Sequence, residues 1–257
     1  MTEAAVGRAR PAPGLVARSL LRADSLVLLR SRVSVTLSML LPIAILIVTS
    51  FGKAQSRLGG SNLLIGLAVT LGLITSCLLG YSLTLAHDRE TGVLQRLRVT
   101  PAPTWMIMTS RLVVQVVTNL VASVIVLIVG SILHGLSLTV GQYALVIAIA
   151  VLGACVFLAL GQALVGLVKS TSAINALGRI LFIVLVLLGL LGATGVLGDT
   201  IKAIAEWSPV GALMALFSDV LNPGAGTGLD AYWVLACFGY IVVFAFVGIR
   251  WFRWDSR

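Results

Sequence analysis

Long runs of hydrophobic residues, separated by short polar stretches, recur along the chain. Six of these runs are about 20 residues long or longer, at residues 33–51, 62–86, 112–133, 141–168, 175–197 and 231–249. Because an α-helix rises about 1.5 Å per residue, each run can cross a hydrocarbon core about 30 Å thick. The runs must be helical, since an open strand edge in lipid leaves backbone groups unpaired. The pattern predicts an all-α protein with six transmembrane helices in one domain over residues 1–257.

Composition supports a membrane protein and argues against nucleic-acid binding. The chain is 59% hydrophobic and only 11% charged, and its mean hydropathy of +1.09 lies far outside the range of soluble domains. Its net charge of +9 could indicate a nucleic-acid partner. However, the basic residues lie between the apolar runs, and they form neither a continuous basic face nor an aromatic platform. We therefore expect membrane lipids around the chain and no nucleic acid.

The Lys and Arg residues are distributed unevenly between the two sides of the predicted bundle. Fifteen of the 18 lie in residues 1–32, 87–111, 169–179 and 250–257. The opposite side carries only Lys53, Arg57 and Lys202. By the positive-inside rule, this asymmetry places both termini and residues 87–111 on the cytoplasmic side of the cell membrane.

Two segments outside the six runs have patterns of their own. In the N-terminal tail, Val16, Leu20, Ala23 and Val27 share one helical face, opposite Arg18, Arg22 and Ser25. This arrangement predicts an amphipathic helix at the membrane interface. The other segment is the outer connector, residues 198–230, in which two short apolar pieces flank Ser208 and Pro209. Each piece is too short to span a bilayer, so short re-entrant or interfacial helices are expected before the last span.

The sequence contains no pattern typical of a catalytic, cofactor or metal site. Neither HExxH nor GxSxG occurs, and no Asp or Glu lies within the six runs. Cys77, Cys155 and Cys237 all fall inside predicted spans, which favours packing roles over a disulfide framework or a metal cluster. The absence of intramembrane carboxylates also weakens the case for a proton-coupled carrier. We therefore expect a chain that is not an enzyme and that takes any transport energy from elsewhere.

Residues 87–111, between the second and third predicted spans, contain six charged residues. Val93, Leu94 and Leu97 can form one apolar face of a short helix, which should end before Pro101. Thr104 is then a plausible N-cap of the next helix. A helix of two turns is marginal by itself. It should therefore either lie on the lipid headgroups or dock into a partner, and the residues alone do not favour one over the other.

A family resemblance supports the partner interpretation. The run RETGVLQRLRVTPAPTWMIMTSRL, residues 89–112, resembles the cytoplasmic segment between the second and third spans of type-2 ABC exporter permeases. The residues that match the family pattern are Glu90, Gly92, Leu94, Leu97, Thr100, Pro101 and Arg111. Where that family commonly has Gly-Thr, this chain has the permuted Thr91-Gly92-Val93. A looser similarity covers the rest of the chain, including Pro42 in the first span and Ser208-Pro209 before the last.

The resemblance implies a function and a set of partners. It implies a permease subunit that exports a small hydrophobic or amphiphilic compound, such as a drug or antibiotic, as in daunorubicin-resistance efflux permeases. The chain would act as a homodimer or heterodimer with a second permease subunit, beside a separate ATP-binding subunit that holds ATP and Mg. The residues that the resemblance assigns to coupling are Glu90, Gly92, Val93, Leu94, Arg96, Leu97 and Arg98. The alternatives are an ion-driven or passive secondary transporter without an ATPase and a non-transporting membrane assembly subunit.

A polar stripe lies on the third predicted span. Gln115, Asn119 and Ser123 recur every four residues and therefore share one helical face. One interpretation is hydrogen bonding between helices, which accounts for most Asn and Gln in membrane spans. The other interpretation is that the stripe lines the translocation path.

Overall fold

The computed structural model describes residues 13–30, 32–51, 60–98, 100, 103–194, 199–222 and 230–252, and all regular structure within these ranges is helical. The helices are α1 (Pro13–Arg30), α2 (Arg32–Ser50), α3 (Ser61–Leu73), a π-helical segment (Ile74–Gly80), α4 (Tyr81–Glu90), α5 (Val93–Arg98), α6 (Thr104–His134), α7 (Val140–Leu167), α8 (Thr171–Thr194), α9 (Asp199–Glu206), α10 (Pro209–Leu221) and α11 (Asp230–Trp251). The all-α prediction is confirmed for the described residues.

Five helices are long and apolar enough to cross a membrane. They are Asn62–Glu90, Thr104–His134, Val140–Leu167, Thr171–Leu190 and Ala231–Trp251. These helices correspond to the last five of the six predicted spans. The first predicted span, residues 33–51, coincides with α2, but the apolar part whose side chains are described, Met39–Ser50, is shorter than a full crossing. The described residues therefore contain five candidate spans, which support a multi-pass membrane protein, and the sixth rests on the sequence.

The helix from Ser61 to Glu90 lies at the centre of the bundle. It comprises α3, the π-helical segment and α4, and Ile74, Cys77 and Leu78 in the π-helical segment are fully buried. A π-helical turn inside an α-helix often marks a functional position. Its neighbour α7 packs closely because a Cβ on Gly161 would lie only 3.0 Å from the Cys77 carbonyl oxygen. The polar residues that precede α5 are therefore attached to the most buried element of the fold.

Hydrogen bonds join different helices at the two ends of the bundle. At one end, here called the basic end, side chains from the end of α4 reach the start of α6, the end of α7 and the start of α8. At the other, the connector end, Asn62 donates to the Leu221 carbonyl oxygen (3.0 Å) and Gln142 donates to that of Val220 (3.1 Å). The long helices therefore alternate in direction, as the predicted topology requires.

Helices α9 and α10 form a hairpin at the connector end. The turn ends at Ser208, whose side chain accepts a hydrogen bond from the Gly211 amide (3.0 Å), with Pro209 at the first helical position. Along α10, Leu213 and Leu73 meet at Gly153 of α7, Phe217 packs on Gly66, and the carbonyl of Leu221 accepts from Asn62. Helix α10 thus runs lengthwise beside α3 instead of lying across the end of the bundle.

Helix α1 packs on α6 through a face that only partly matches the predicted one. Val16 and Leu20 are half-buried, as expected for an apolar face. Ala23 and Val27, which were predicted to share this face, are exposed, and Val27 is 65% accessible. The Asp24 carboxylate also accepts a hydrogen bond from the Ser110 hydroxyl of α6. Both apolar and polar contacts therefore hold α1 on α6.

Candidate functional site

The short helix α5 follows α4 after a turn of two residues. Thr91 donates a backbone hydrogen bond to the His87 carbonyl oxygen (2.9 Å), and Gly92 has a φ of +73°, in the left-handed region that favours glycine. Helix α5 then begins at Val93, and the Arg96 amide donates to the Gly92 carbonyl oxygen (3.1 Å). Glycine is therefore favoured at position 92, because the backbone of the turn between α4 and α5 is left-handed there.

The apolar face of α5 is directed into its own chain. Leu94 is completely buried and belongs to the same core cluster as Leu85 and Ala86. Val93 and Leu97 are half-buried, whereas the side chains of Gln95 and Arg96 are exposed. Leu94 is therefore covered within the subunit itself, and its assignment to coupling stays a prediction. The side chain of Arg98 lies outside the described residues.

Three consecutive residues at the end of α4 contact three different helices. Asp88 accepts from Arg111 of α6, with the Oδ2 and Nη1 atoms 2.5 Å apart. Arg89 donates to the carbonyl oxygens of Val165 (2.9 Å), Val168 (2.8 Å) and Lys169 (2.6 Å) at the end of α7. Glu90 accepts from the Thr171 amide (2.9 Å) at the start of α8. The segment before α5 is thus fixed to α6, α7 and α8 at once.

A second charged contact links α1 to the same cluster. Arg111 pairs with Asp88 and also approaches Asp24 of α1, with Nε and Oδ1 4.0 Å apart. The hydroxyl of Ser110 donates to the same Asp24 carboxylate. These side chains are largely withdrawn from solvent, so their pairing is stronger than that of an exposed ion pair. The start of α6 therefore connects α1 with the end of α4.

The polar stripe of α6 is buried, and its first member, Gln115, faces the π-helical segment. The exposed fractions of Gln115, Asn119 and Ser123 are 8%, 2% and 7%. Gln115 donates to the Ser76 hydroxyl (3.1 Å), whereas Asn119 donates to the Gln115 carbonyl oxygen (2.8 Å) within its own helix. Gln115 therefore forms a hydrogen bond between helices. Among the described residues, Asn119 forms no hydrogen bond to another helix.

A cavity of about 1260 Å³ lies between α1, α2 and α6. Its wall is mainly apolar, and Ser76, Thr118 and Asn119 contribute polar atoms on the bundle side. Arg18 and Arg22 of α1 lie on the opposite side. Of the polar stripe, only Asn119 reaches this cavity; Gln115 and Ser123 do not line it.

Sequence reasoning found some of these residues and missed others. It singled out Glu90 and Arg111 through the family pattern, but it assigned no role to Asp24, Asp88, Arg89 or Ser110. A signal for Arg89 does exist in the sequence, because Asp88, Arg89 and Glu90 follow an apolar run with only His87 between them. That pattern also describes ordinary solvated charges, so it could not show that Arg89 is buried.

A family model described as ABC-2 type transporter matches residues 16–222 of the chain. The matched range runs from α1 to the residue after α10. It therefore contains α5, the polar stripe and both groups of charged contacts. No curated protein matches the chain.

Proposed function

This chain belongs to the ABC-2 type transporter family, and we propose that it is the membrane-spanning permease subunit of an ATP-driven exporter. Family membership supports a transport subunit that carries no ATPase activity of its own. The observation that carries the proposal is α5, a short helix outside the long spans with a buried apolar side and an exposed polar side. A separate ATP-binding subunit, which holds ATP and Mg, would contact the exposed side.

The proposed coupling surface consists of the residues of α5 whose side chains are exposed or half-buried. Gln95 and Arg96 are exposed, and Leu97 is half-covered. Leu94 supports this surface from behind, because it packs in the core. Closure of the ATP-binding subunits would push on α5 and shift the population of the permease between inward-facing and outward-facing states. In this proposal Arg96 recognises the ATP-binding subunit, and Leu94 attaches α5 to the core of the permease.

The cavity between α1, α2 and α6 supports the proposal that the substrate is a small amphiphilic compound. Its volume of about 1260 Å³ is somewhat above the range of about 300–1,000 Å³ typical of small-molecule sites. Mostly apolar walls with a few polar atoms suit a compound such as a drug or antibiotic. In a dimer of permease subunits, the cavity of each copy would supply one wall of the translocation path, with Asn119 as its polar contact.

We place the basic end of the bundle in the cytoplasm, with both termini on that side. The distribution of Lys and Arg supports this orientation, and it puts α5 where a cytoplasmic ATPase can reach it. The α9–α10 hairpin then enters the membrane from the outer side as a re-entrant element. An impermeant thiol reagent should label Arg96→Cys only from the cytoplasmic side and Lys202→Cys only from the outer side. Labelling of both from one side would refute this topology.

Purification of the tagged chain should test the main proposal directly. We expect a phosphate-loop ATPase to co-purify in a fixed ratio and to be identified by mass spectrometry. Replacing Arg96 by Asp should weaken this complex by about tenfold, or about 1.4 kcal/mol, because a reversed charge at a complementary surface opposes docking. Arg96→Lys is the matched control and should retain the complex. A chain that transports without any ATPase would instead be an ion-driven or passive carrier.

Substitutions of Asn119 and Gln115 should distinguish a role in contacting the substrate from a role in helix packing. Asn119→Leu should change which lipophilic fluorescent compounds are exported and leave stability nearly unchanged, because Asn119 bonds only to its own helix among the described contacts. Gln115→Leu removes the bond to Ser76, so it should lower stability by about 0.6 kcal/mol. Export assays and thermal unfolding in detergent measure the two effects. Unchanged compound selectivity in Asn119→Leu would remove this residue from the path.

A further inference from the structure

We propose that Arg89 and Glu90 act together as positioning residues that force α7 and α8 to move with the coupling helix α5. This pair is called the helix-end clasp below. The inference rests on the proposed function, in which an ATP-binding subunit displaces α5. It assigns to Glu90 a different role from the surface contact that the family resemblance implies. It also assigns a role to Arg89, which the sequence analysis left without one.

Arg89 holds the end of α7. The last carbonyl groups of a helix have no partner within that helix, and the helix dipole concentrates negative charge there. The guanidinium of Arg89 donates Nη1 to the Val165 carbonyl oxygen, and Nη2 to those of Val168 and Lys169. Arg89 is only 2% exposed, so these bonds form away from competing water. One buried cation therefore satisfies three carbonyls around the end of α7.

Glu90 holds the start of α8. The first amide groups of a helix are unpaired, and the dipole favours an anion beside them. The Oε1 atom of Glu90 accepts from the Thr171 amide at 2.9 Å, and Thr171 is the first residue of α8. Two neighbouring residues of opposite charge thus hold two helix ends of opposite polarity. The turn at residues 168–170 is fixed from both sides.

The position of the clasp in the chain makes it a mechanical link. Glu90 is the last residue of α4, and only Thr91 and Gly92 separate it from α5. Because Leu94 is buried, α5 is also attached to the core by its own apolar side. If α5 moved and carried the end of α4 with it while α7 and α8 stayed in place, the hydrogen bonds of Arg89 and Glu90 would break. Hydrogen bonds to charged groups are stronger than neutral ones, so they resist this. Movement of α5 is therefore transmitted to α7 and α8 at one point.

The contact between Glu90 and Thr171 can be removed from either partner. Glu90→Ala removes the acceptor. Thr171→Pro removes the donor, and proline is favoured at the first position of a helix, so α8 should still form. Thr171→Ser is the matched control because it keeps both the hydroxyl and the amide that face Glu90. If Glu90 acted as a surface charge toward the ATPase instead, Thr171→Pro would leave coupling unchanged.

The test uses the complete complex of permease and co-purified ATPase in proteoliposomes. Transport of a lipophilic fluorescent probe is measured per ATP hydrolysed. Glu90→Ala and Thr171→Pro should each lower this ratio by about two- to fivefold, the factor expected for a charge at a helix N-terminus. The double variant should be no worse than either single one, since all three lack the same contact. Thr171→Ser should behave like the wild-type chain, and the ATPase should remain bound in every variant.

A distance measurement on the permease chain gives an independent readout of the clasp. Spin labels at Gln95→Cys and Ser172→Cys, both exposed sites, are measured after Cys77, Cys155 and Cys237 are replaced by Ala. The α5–α8 distance distribution should be narrow with the native clasp and broad in Glu90→Ala and Thr171→Pro.

The possible results separate the clasp from the proposed function. Additive losses in the double variant, or wild-type coupling in Thr171→Pro, would overturn the clasp and leave the exporter assignment intact. A distance distribution that stays narrow in both single variants would also overturn it. A wild-type chain that transports the probe without an ATPase would overturn the proposed function and the clasp together.

Discussion

Replacing Leu94 by Asp should destabilise the permease chain itself, before any partner binds. Leu94 is fully buried in the core of its own chain, with an accessible fraction of 0%. Burial of a leucine contributes about 1.5–3 kcal/mol, and a buried carboxylate without a partner adds a further penalty. We therefore expect a loss of about 3 kcal/mol or more. Thermal unfolding of the purified chain in detergent, without ATPase, measures it.

Gln95→Asp provides the matched control for this prediction. Gln95 is the next residue in α5, and its side chain is exposed. A carboxylate introduced there stays in water, so the unfolding temperature should stay close to that of the wild-type chain. Equal unfolding temperatures for Leu94→Asp and Gln95→Asp would show that Leu94 is not buried in the free subunit. In that case Leu94 would be accessible for docking into a partner.

The contrast at α5 shows what an amphipathic pattern can and cannot predict. The spacing of Val93, Leu94 and Leu97 identifies a helix with one apolar face. It does not identify the body that covers this face, because lipid headgroups, a partner groove and the chain's own core all favour the same residues. The burial of Leu94 depends on where the other helices end. The burial of Leu94 is therefore determined by the tertiary fold, and local periodicity does not predict it.

The long helices were easier to predict because lipid imposes a strict rule on them. A span must satisfy its backbone internally and present apolar side chains over its full length, so the apolar runs at 112–133 and 141–168 correspond closely to α6 and α7. Helix α6 begins at Thr104, before its apolar run, and its N-cap is Pro103 without a side-chain hydrogen bond, so the predicted N-cap at Thr104 is wrong by one residue. Its first turns carry apolar as well as polar residues, and the polar Ser110 and Arg111 find partners in Asp24 and Asp88.

The buried charge of Arg89 lay beyond sequence reasoning for a related reason. Arg89 bonds to carbonyl groups 76 to 80 residues further along the chain. Such a contact is determined by the helix end that folding brings next to it. A single sequence gives the residue type and its neighbours, and from these a buried helix cap and a solvated surface charge look the same. The adjacent Glu90 shows the same ambiguity, since its partner is a backbone amide.

A side chain at Gly211 should disrupt the α9–α10 hairpin. A Cβ at this position would lie 1.9 Å from the Ala205 carbonyl oxygen and 2.7 Å from its carbonyl carbon. Both atoms belong to the backbone of α9, so the overlap cannot be relieved by a change of rotamer. Gly211→Ala should therefore cost at least about 3 kcal/mol, at the upper end for an overpacked core. It should also separate Trp207 from Trp233, whose ring centroids are 5.2 Å apart.

Thermal unfolding in detergent and tryptophan fluorescence measure the two effects of Gly211→Ala. Gly239→Ala in α11 is the matched control, because nothing lies within 4 Å of the Cβ it would introduce. Alanine also has a higher helix propensity than glycine, so this control should be neutral or slightly stabilising. Since α10 packs along α3, loss of the hairpin should expose the buried side of α3 at the connector end. An unfolding temperature and a fluorescence spectrum that match those of Gly239→Ala would mean that α9 and α10 do not cross this closely.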